Sequence, residues 1–317
     1  MKKAVLAGLL LSLGTCLLAQ DATTSPIAIT KIYRPGVPPP PLVTGTIYYG
    51  GGPVMSGSTN IYVVYYGTWP TKSRTIINTW LQHIGGSHYF KVNTTYDDTT
   101  GAHIQNVVNY NPTTNSYNDA YSLGKNLTDA SLQTIVSNAI SGKHLPNDAT
   151  NGIYFVLTAT DVNVSALGGT FCGTFCGYHS PSNNIVSGET IKYAFVGNPV
   201  KCPSGCSGNI AVYSDTTTPN GDIGGDGVIS IMFHETSESV SDPFVTFANG
   251  AWGDNVTQES GDVCNFYFGT TMLAPNGSHY NDSINGVKYL MQQMARVSPP
   301  TPAKVKNYTS YCQGYMK

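Results

Sequence analysis

A short segment in the second half of the chain carries the residue types best suited to metal chemistry. It reads HETSE, from His234 to Glu238, and it follows the apolar residues 229–233. In a helix, His234 and Glu238 lie one turn apart on the same face. This spacing is typical of the helix that binds zinc in metallopeptidases, except that a carboxylate replaces the second histidine. We therefore predict that both side chains bind a zinc ion.

A catalytic zinc site also needs a third protein ligand, a bound water and a base for that water. Glu235 lies beside the two ligands and is the predicted general base. Downstream, the segment QESGD supplies two more carboxylates, those of Glu259 and Asp262. We predict that Glu259 is the third ligand and that Asp262 accepts the second ring N–H of His234. His179 is the rival ligand, or a hydrogen-bond donor to the transition state.

The carboxylates in this ligand set affect which metal is expected. Two carboxylates and one histidine neutralise a dication more than three histidines do, so the bound water is less acidified and the metal is a weaker Lewis acid. Carboxylates also suit manganese or calcium. Zinc remains the predicted cofactor because of the helix spacing. The alternative is a structural helix whose polar face is solvated.

The segment NGDIGGDG precedes this helix and contains Asp222 and Asp226. A calcium loop starting at Asp222 would need alternating oxygen ligands and a glutamate at its twelfth position, where this chain has Phe233. We therefore predict a turn in which Asp226 caps the helix.

The N-terminus is typical of an exported protein. Lys2 and Lys3 precede the apolar residues 4–18, and the small residue Ala19 follows. This pattern predicts a signal peptide over residues 1–19, and hence a secreted or extracellular protein, with the periplasm or cell wall as alternatives. No later segment has 18 unbroken apolar residues, so no membrane span is expected. The net charge of -2 gives no indication of a nucleic-acid partner or an anionic membrane, and none is expected.

Six cysteines remain once the signal peptide is removed. An even number of cysteines in an exported chain predicts three disulfides, with 15 possible connectivities. The two CxxxC pairs also allow a four-thiolate zinc site, which an oxidising compartment disfavours. The predicted disulfide cysteines are Cys172, Cys176, Cys202, Cys206, Cys264 and Cys312.

The rest of the chain divides into a proline-rich leader, residues 20–44, predicted to be disordered, and one globular domain, residues 45–317. Strands are expected at residues 60–66 and 152–158, and strands separated by turns over 89–110. Helices are expected to begin at Ser73 and after Thr128, and a third spans 227–240. Short strands are expected at 191–196 and 209–213, in a loop-dense region stapled by disulfides. This order predicts an α/β fold, with α+β as the alternative.

Several short segments stand in order along the chain: YGGGPV, YGTW, FCGYH, FVGN, CPSGC, PNGD, DPF and GVKYL, together with Cys264 and Cys312. Taken together, they resemble the exordium / phosphate-induced protein family of exported proteins. The resemblance spans about residues 45–312. It implies an apoplast or cell-wall protein linked to growth, without an established reaction. The lysine-rich start of the signal peptide favours a microbial source.

Two hypotheses about function follow. In the first, the protein is a secreted zinc-dependent peptide hydrolase, a metallopeptidase-like enzyme that uses the residues named above. In the second, it is a non-catalytic secreted protein associated with the cell wall or extracellular matrix, and the helix is structural. The predicted partner is accordingly an extracellular peptide or a cell-wall component. The sequence leaves the oligomeric state open.

Overall fold

A mixed sheet of seven strands forms the centre of the computed structural model, which describes residues 28–31, 47–245, 250–253, 258–298 and 309–314. Its strands are β1 (Ala28–Lys31), β2 (Thr59–Tyr66), β3 (Val108–Asn109), β4 (Ser116–Asp119), β5 (Gly152–Thr158), β6 (Phe175–Val186) and β7 (Glu189–Gly197). They are ordered β1-β6-β7-β5-β2-β3, and β4 also pairs with β2. Strands β1 and β6 are antiparallel to their neighbours, and the other pairs are parallel.

Three long helices cover the two faces of this sheet: α1 (Thr71–His83), α2 (Asp129–Ser141) and α3 (Ile223–Ser241). Helix α3 packs against α1, β6 and β7. Neighbouring side chains of a strand point to opposite faces. Tyr178 of β6 donates a hydrogen bond to Asp129 of α2, whereas the next residue, His179, bonds Glu235 of α3. The fold therefore has helices on both sides of the sheet, and the predicted α/β class is confirmed.

Helix α3 is enclosed by the rest of the protein. All its residues from 224 to 241 are buried, and His234, Glu235 and Glu238 are each 0% exposed. Gly177 of β6 permits this close packing, because a Cβ there would lie 2.7 Å from Ile231 Cγ2. The alternative of a helix with a solvated polar face is therefore wrong. Within the described residues, no helix is both long and apolar enough to span a membrane.

Smaller elements surround this core. Short helical turns occur at Phe90–Thr95, Pro199–Lys201, Pro203–Cys206, Gly208–Ala211 and Asp262–Cys264. Two-stranded ribbons pair Tyr48–Tyr49 with Trp252–Gly253, Met272–Leu273 with His279–Tyr280, Asp282–Ile284 with Val287–Tyr289, and Met294–Ser298 with Thr309–Gln313. A three-stranded sheet consists of Asn126–Thr128, Asn163–Ala166 and Gly169–Thr170.

The helix starts agree with the sequence at one of three positions. Thr128 caps α2 as predicted, accepting from the Ser131 amide. Ser73 does not cap α1; it lies inside the helix, and its hydroxyl donates to Asp222 at 2.9 Å. Asp222 rather than Asp226 caps α3, accepting from the Gly225 amide at 2.7 Å. The prediction of Asp226 was wrong because the contact of Asp222 with Ser73 of α1 holds the earlier aspartate at the start of the helix.

Three local predictions were wrong. Residues 89–110 contain a 3-10 helix and the two-residue strand β3 instead of several strands. Residues 208–211 form a helical turn where a strand was expected. Short apolar runs do not distinguish strand from buried helix by periodicity, which explains both errors. In the segment predicted as a disordered leader, Ala28–Lys31 pair with β6 as an edge strand. The rest of the leader and the signal peptide lie outside the described residues.

Three disulfides form, as predicted from the cysteine count. Cys172 bonds Cys202 and Cys176 bonds Cys206, so the two CxxxC segments are cross-linked to each other. The third disulfide, Cys264–Cys312, ties the turn after Asp262 to the strand near the C-terminus. The alternative of a four-thiolate zinc site is therefore excluded, because all four of its thiols are in disulfides.

Candidate functional site

The structure brings the predicted site residues into one buried cluster between α3, β6 and the segment 258–262. Each of their side chains belongs to a residue that is at most 9% exposed. Two histidines and four carboxylates in so small a volume are unusual, because charged groups are rarely buried unless they are paired or bind a metal. The cluster consists of His179, His234, Glu235, Glu238, Glu259 and Asp262.

Helix α3 places His234 and Glu238 against each other, as the i, i+4 spacing predicts. His234 Nε2 lies 3.0 Å from Glu238 Oε1. The two atoms are close but not aligned for a hydrogen bond, and His234 Nδ1 and Nε2 are both left without a hydrogen-bond partner. Ligand atoms at about this separation can share one cation, since zinc–ligand bonds are about 2.0–2.2 Å long.

The segment 258–262 closes the cluster on one side and holds Glu238 in place. The backbone amides of Gly261 and Asp262 donate to Glu238 Oε1 at 2.9 and 3.0 Å. Gln292 Nε2 donates to the Gly261 carbonyl at 3.0 Å. The carboxylate of Asp262 then lies 3.8 Å from His234 Nε2. Hydrogen bonds thus fix this segment where its carboxylates, those of Glu259 and Asp262, face the two histidines.

Strand β6 supplies His179 from the opposite side. Its Nδ1 lies 3.3 Å from Glu235 Oε2 and 3.7 Å from Glu238 Oε2. Its Nε2 lies 3.8 Å from Glu259 Oε1. The Cys176–Cys206 disulfide lies three residues before His179 and ties this end of β6 to a helical turn. His179 is therefore a full member of the cluster, and its role as rival ligand stays a prediction.

The grouping of the carboxylates differs from the one we expected. One set that could hold a cation consists of His234, Glu238 and Asp262, and a second consists of His179, Glu235 and Glu238. Glu259 contacts His179, whereas Asp262 occupies the place beside His234 that we assigned to Glu259. The ligand role of Glu259 and the orienting role of Asp262 stay predictions.

Several buried polar atoms of the cluster have no hydrogen-bond partner. Glu238 Oε2, both carboxylate oxygens of Glu259, and His179 Nε2 are buried without a hydrogen-bond partner, in addition to both ring nitrogens of His234. A buried acceptor left without a partner costs about 1–3 kcal/mol, and more when it is charged. Carboxylate oxygens and imidazole nitrogens are together the ligands of zinc and manganese. A divalent cation would satisfy these atoms.

In the absence of metal, bound protons would balance the negative charge of the carboxylates in the cluster. Burial alone lowers the pKa of His234, but the charges of Glu238, Glu235 and Asp262 outweigh it and raise that pKa to about 10. Burial raises the pKa of Glu238, but the neighbouring His234 lowers it below its usual value. Burial, followed by repulsion from Glu238, raises the pKa of Glu259 well above its usual range. The protonation states of His234, Glu238 and Glu259 thus depend on one another.

Asp242 and Gly261 belong to the site, and the sequence analysis did not identify them. Asp242 follows α3 directly, and burial raises its pKa to about 6. Its carboxylate accepts from the Ala251 amide at 2.8 Å. Gly261 presses its backbone against the imidazole of His234, where an added Cβ would lie 2.7 Å from Cγ. The Asp-Pro pair after the helix was visible in the sequence, whereas the contact of Gly261 depends on the fold.

We expect the substitution Gly261→Ala to damage metal binding and stability together. The backbone of Gly261 is held by Glu238 and Gln292, so the new methyl group pushes His234 instead of moving away. Overpacking of this kind costs about 1–3 kcal/mol. Thermal unfolding and metal content measure the two effects. Ser260→Ala is the control, since it shortens the neighbouring side chain, whose Oγ lies 3.5 Å from Ser241 Oγ, instead of adding an atom beside His234. Equal metal content in Gly261→Ala and wild type would contradict this role of Gly261.

The comparison with known proteins identifies the family. Residues 47–314 match the family described as the Phosphate-induced protein 1 conserved region. This match includes nearly all the described residues of the globular domain and every member of the cluster. The chain belongs to this family.

Several plant proteins are similar to this member of the Phosphate-induced protein 1 family. Protein EXORDIUM-like 3 of Arabidopsis thaliana is 31% identical over 294 residues, which cover 84% of this chain and 82% of the relative. Protein EXORDIUM-like 5 of the same plant is 30% identical over 273 residues, which cover 77% of this chain and 73% of the relative. Protein EXORDIUM of Arabidopsis thaliana is 25% identical over 253 residues, which cover 70% of this chain and 73% of the relative. No solved structure matches this family member. The microbial source stays a prediction.

Proposed function

We propose that this chain is a secreted, non-catalytic exordium-like protein whose buried cluster binds a divalent cation that stabilises the fold. The observation that carries the proposal is the set of unpartnered ligand atoms on His179, His234, Glu238 and Glu259 in a fully buried place. Zinc is the first choice of cation and manganese or calcium the alternative, because the set mixes imidazole with several carboxylates.

Burial favours a structural role over a catalytic one. Structural metal sites are closed by protein ligands, whereas catalytic sites keep an open position for water and substrate. Here His234, Glu235 and Glu238 are each 0% exposed, so no peptide reaches them in the described arrangement. The names of the plant relatives state no reaction. Three disulfides agree with an oxidising, extracellular location.

A metal-dependent peptide hydrolase is the second candidate, and one observation favours it. Helix α3 carries Glu235 directly after His234 and three residues before Glu238. A glutamate in this position acts as the general base in metallopeptidases. In that function a metal held by His234 and Glu238 would polarise a water and the scissile carbonyl. Glu235 would accept the proton of the water, and His179, 3.3 Å from it, would orient that carboxylate.

Metal analysis and a hydrolysis assay on the exported protein distinguish these functions. For the structural site we expect about one equivalent or more of zinc, manganese or calcium, a lower melting temperature after chelation, and no metal-dependent cleavage of a mixed peptide library. Less than about a tenth of an equivalent after reconstitution would reject metal binding altogether. Metal-dependent cleavage in wild type that disappears in Glu235→Gln would instead establish the hydrolase.

A further inference from the structure

We infer that the cluster holds two divalent cations bridged by the carboxylate of Glu238. This inference rests on the proposed metal-binding function and deepens it. The two sets of candidate ligands share only this residue: His234, Glu238 and Asp262 form one, and His179, Glu235 and Glu238 form the other. In each set the ligand atoms lie within 4.8 Å of one another. Each set therefore offers the three protein ligands of one metal ion.

The two oxygens of Glu238 face different histidines. Oε1 lies 3.0 Å from His234 Nε2, and Oε2 lies 3.7 Å from His179 Nδ1. Oε2 is buried without a hydrogen-bond partner, although its own carboxylate is fixed through Oε1 by two backbone amides. A carboxylate fixed in this way between two imidazoles is suited to bind one cation through each oxygen, as in two-metal sites.

The number of unpartnered atoms also exceeds what one cation accounts for. Both ring nitrogens of His234 are on one side, His179 Nε2 and the two oxygens of Glu259 are on the other, and Glu238 Oε2 faces His179. A tetrahedral ion takes about four ligands. One ion bound at His234 leaves Glu238 Oε2 and the buried atoms of His179 and Glu259 without partners, whereas a second ion next to His179 Nδ1 takes Glu238 Oε2 as a ligand.

Charge leads to the same conclusion. Five carboxylates surround the two histidines, those of Glu235, Glu238, Glu259, Asp262 and the neighbouring Asp242. With all of them ionised and both histidines neutral, one dication leaves a net charge of about -3 and two dications leave about -1. Unpaired buried charge is strongly unfavourable, so the second cation stabilises the ionised cluster.

The competing arrangement has one cation and a proton. In it, His179 Nδ1 donates to Glu235 Oε2 at 3.3 Å, and this pair carries no metal. The ligand atoms of both arrangements are nitrogen and oxygen, so the chemical class of ligand is the same, a divalent first-row transition metal. Only the number of ions and the bridging role of Glu238 differ.

Titration of the metal-free, full exported protein with Mn²⁺ tests the inference. We expect about two equivalents to bind and the paramagnetic resonance spectrum to show exchange coupling between two ions that share a carboxylate. His179→Ala and Glu235→Gln should each bind about one equivalent with an uncoupled spectrum. His279→Ala is the matched control, because His279 pairs with Asp215 outside the cluster. It should bind two.

The outcomes separate this inference from the proposed function. One equivalent in wild type with an uncoupled spectrum would overturn the bridged pair and leave the metal-binding function intact. No binding of Mn²⁺, Zn²⁺ or Ca²⁺ would overturn both. If His179→Ala does not fold, as judged by circular dichroism, Glu235→Gln and the wild-type stoichiometry still decide, because they require no loss of an imidazole. Two equivalents in Glu235→Gln would contradict the assignment of this residue as a ligand.

Discussion

Glu238→Gln is expected to abolish the stabilisation of the protein by metal. The amide keeps the shape of the side chain and its Oε1 still accepts from the amides of Gly261 and Asp262, so the metal-free fold retains this anchor. The carboxylate charge and the second ligand oxygen are lost. Because both candidate ligand sets include Glu238, one substitution removes a ligand from each.

The expected magnitude follows from linkage. A ligand at a hundred times its Kd stabilises the folded state by about 2.7 kcal/mol, and at a thousand times by about 4.1 kcal/mol. For a domain of this size, this stabilisation corresponds to an increase in Tm on the order of 5–10 °C. Wild type should show this increase on addition of zinc after chelation, and Glu238→Gln should show almost none.

A matched control separates the site from general effects of charge. Glu189→Gln makes the same chemical change at a residue whose carboxylate accepts from Asn147, at the start of β7 and away from the cluster. It should keep the full response to zinc. A zinc-induced increase in Tm of wild-type size in Glu238→Gln would mean that the cation binds elsewhere.

The sequence predicted which residues have metal chemistry but not how they are paired. The i, i+4 spacing of His234 and Glu238 is a property of any helix, so their contact followed from local structure alone. Glu259 and Asp262 are three residues apart in a segment without regular spacing. Which of them faces His234 depends on the amides of residues 261 and 262, which are bound by Glu238. Such a contact across 23 residues is not encoded in a local pattern.

The elements of the fold that could be predicted are likewise those with a local sequence pattern. β2 and β5 were predictable because their β-branched and aromatic runs are long, and both are buried on both faces. The helix at Asp129–Ser141 was predictable from its cap and apolar spacing. The long strand β6 was hidden in a region rich in glycine and cysteine, where Gly177 has a role in packing against α3 that no propensity describes. That strand carries His179, so its omission also left His179 without a defined position in the predicted site.

The metal-free protein should lose stability as the pH rises above neutrality. The pKa of His234 is raised to about 10 in the folded state, above its unfolded value of about 6.5. A raised pKa on a histidine stabilises the fold fully below the unfolded pKa, and this contribution is lost between about pH 6.5 and 10. The raised pKa of Glu259 acts in the same direction, because ionisation of a buried carboxyl becomes costly above its unfolded pKa.

Acid acts on the cluster through a different group. The pKa of Glu238 is lowered, chiefly because His234 outweighs the effect of burial. Its contribution is therefore present above the unfolded pKa of about 4.5 and is lost as the pH falls through the lower folded value. The metal-free protein should accordingly be most stable in mild acid.

Metal reverses the alkaline part of this profile. A cation binds neutral imidazole and ionised carboxylates, so its affinity increases as the protons of His234 and Glu259 are released. Melting temperatures measured from pH 5 to pH 9, with chelator and with zinc, should therefore diverge as the pH rises. Each unit of pKa shift corresponds to about 1.4 kcal/mol, which makes the divergence several degrees at alkaline pH. Parallel curves would show that protons and metal do not compete for the same cluster, whereas divergence that is absent in Glu238→Gln and present in Glu189→Gln would assign the competition to these side chains.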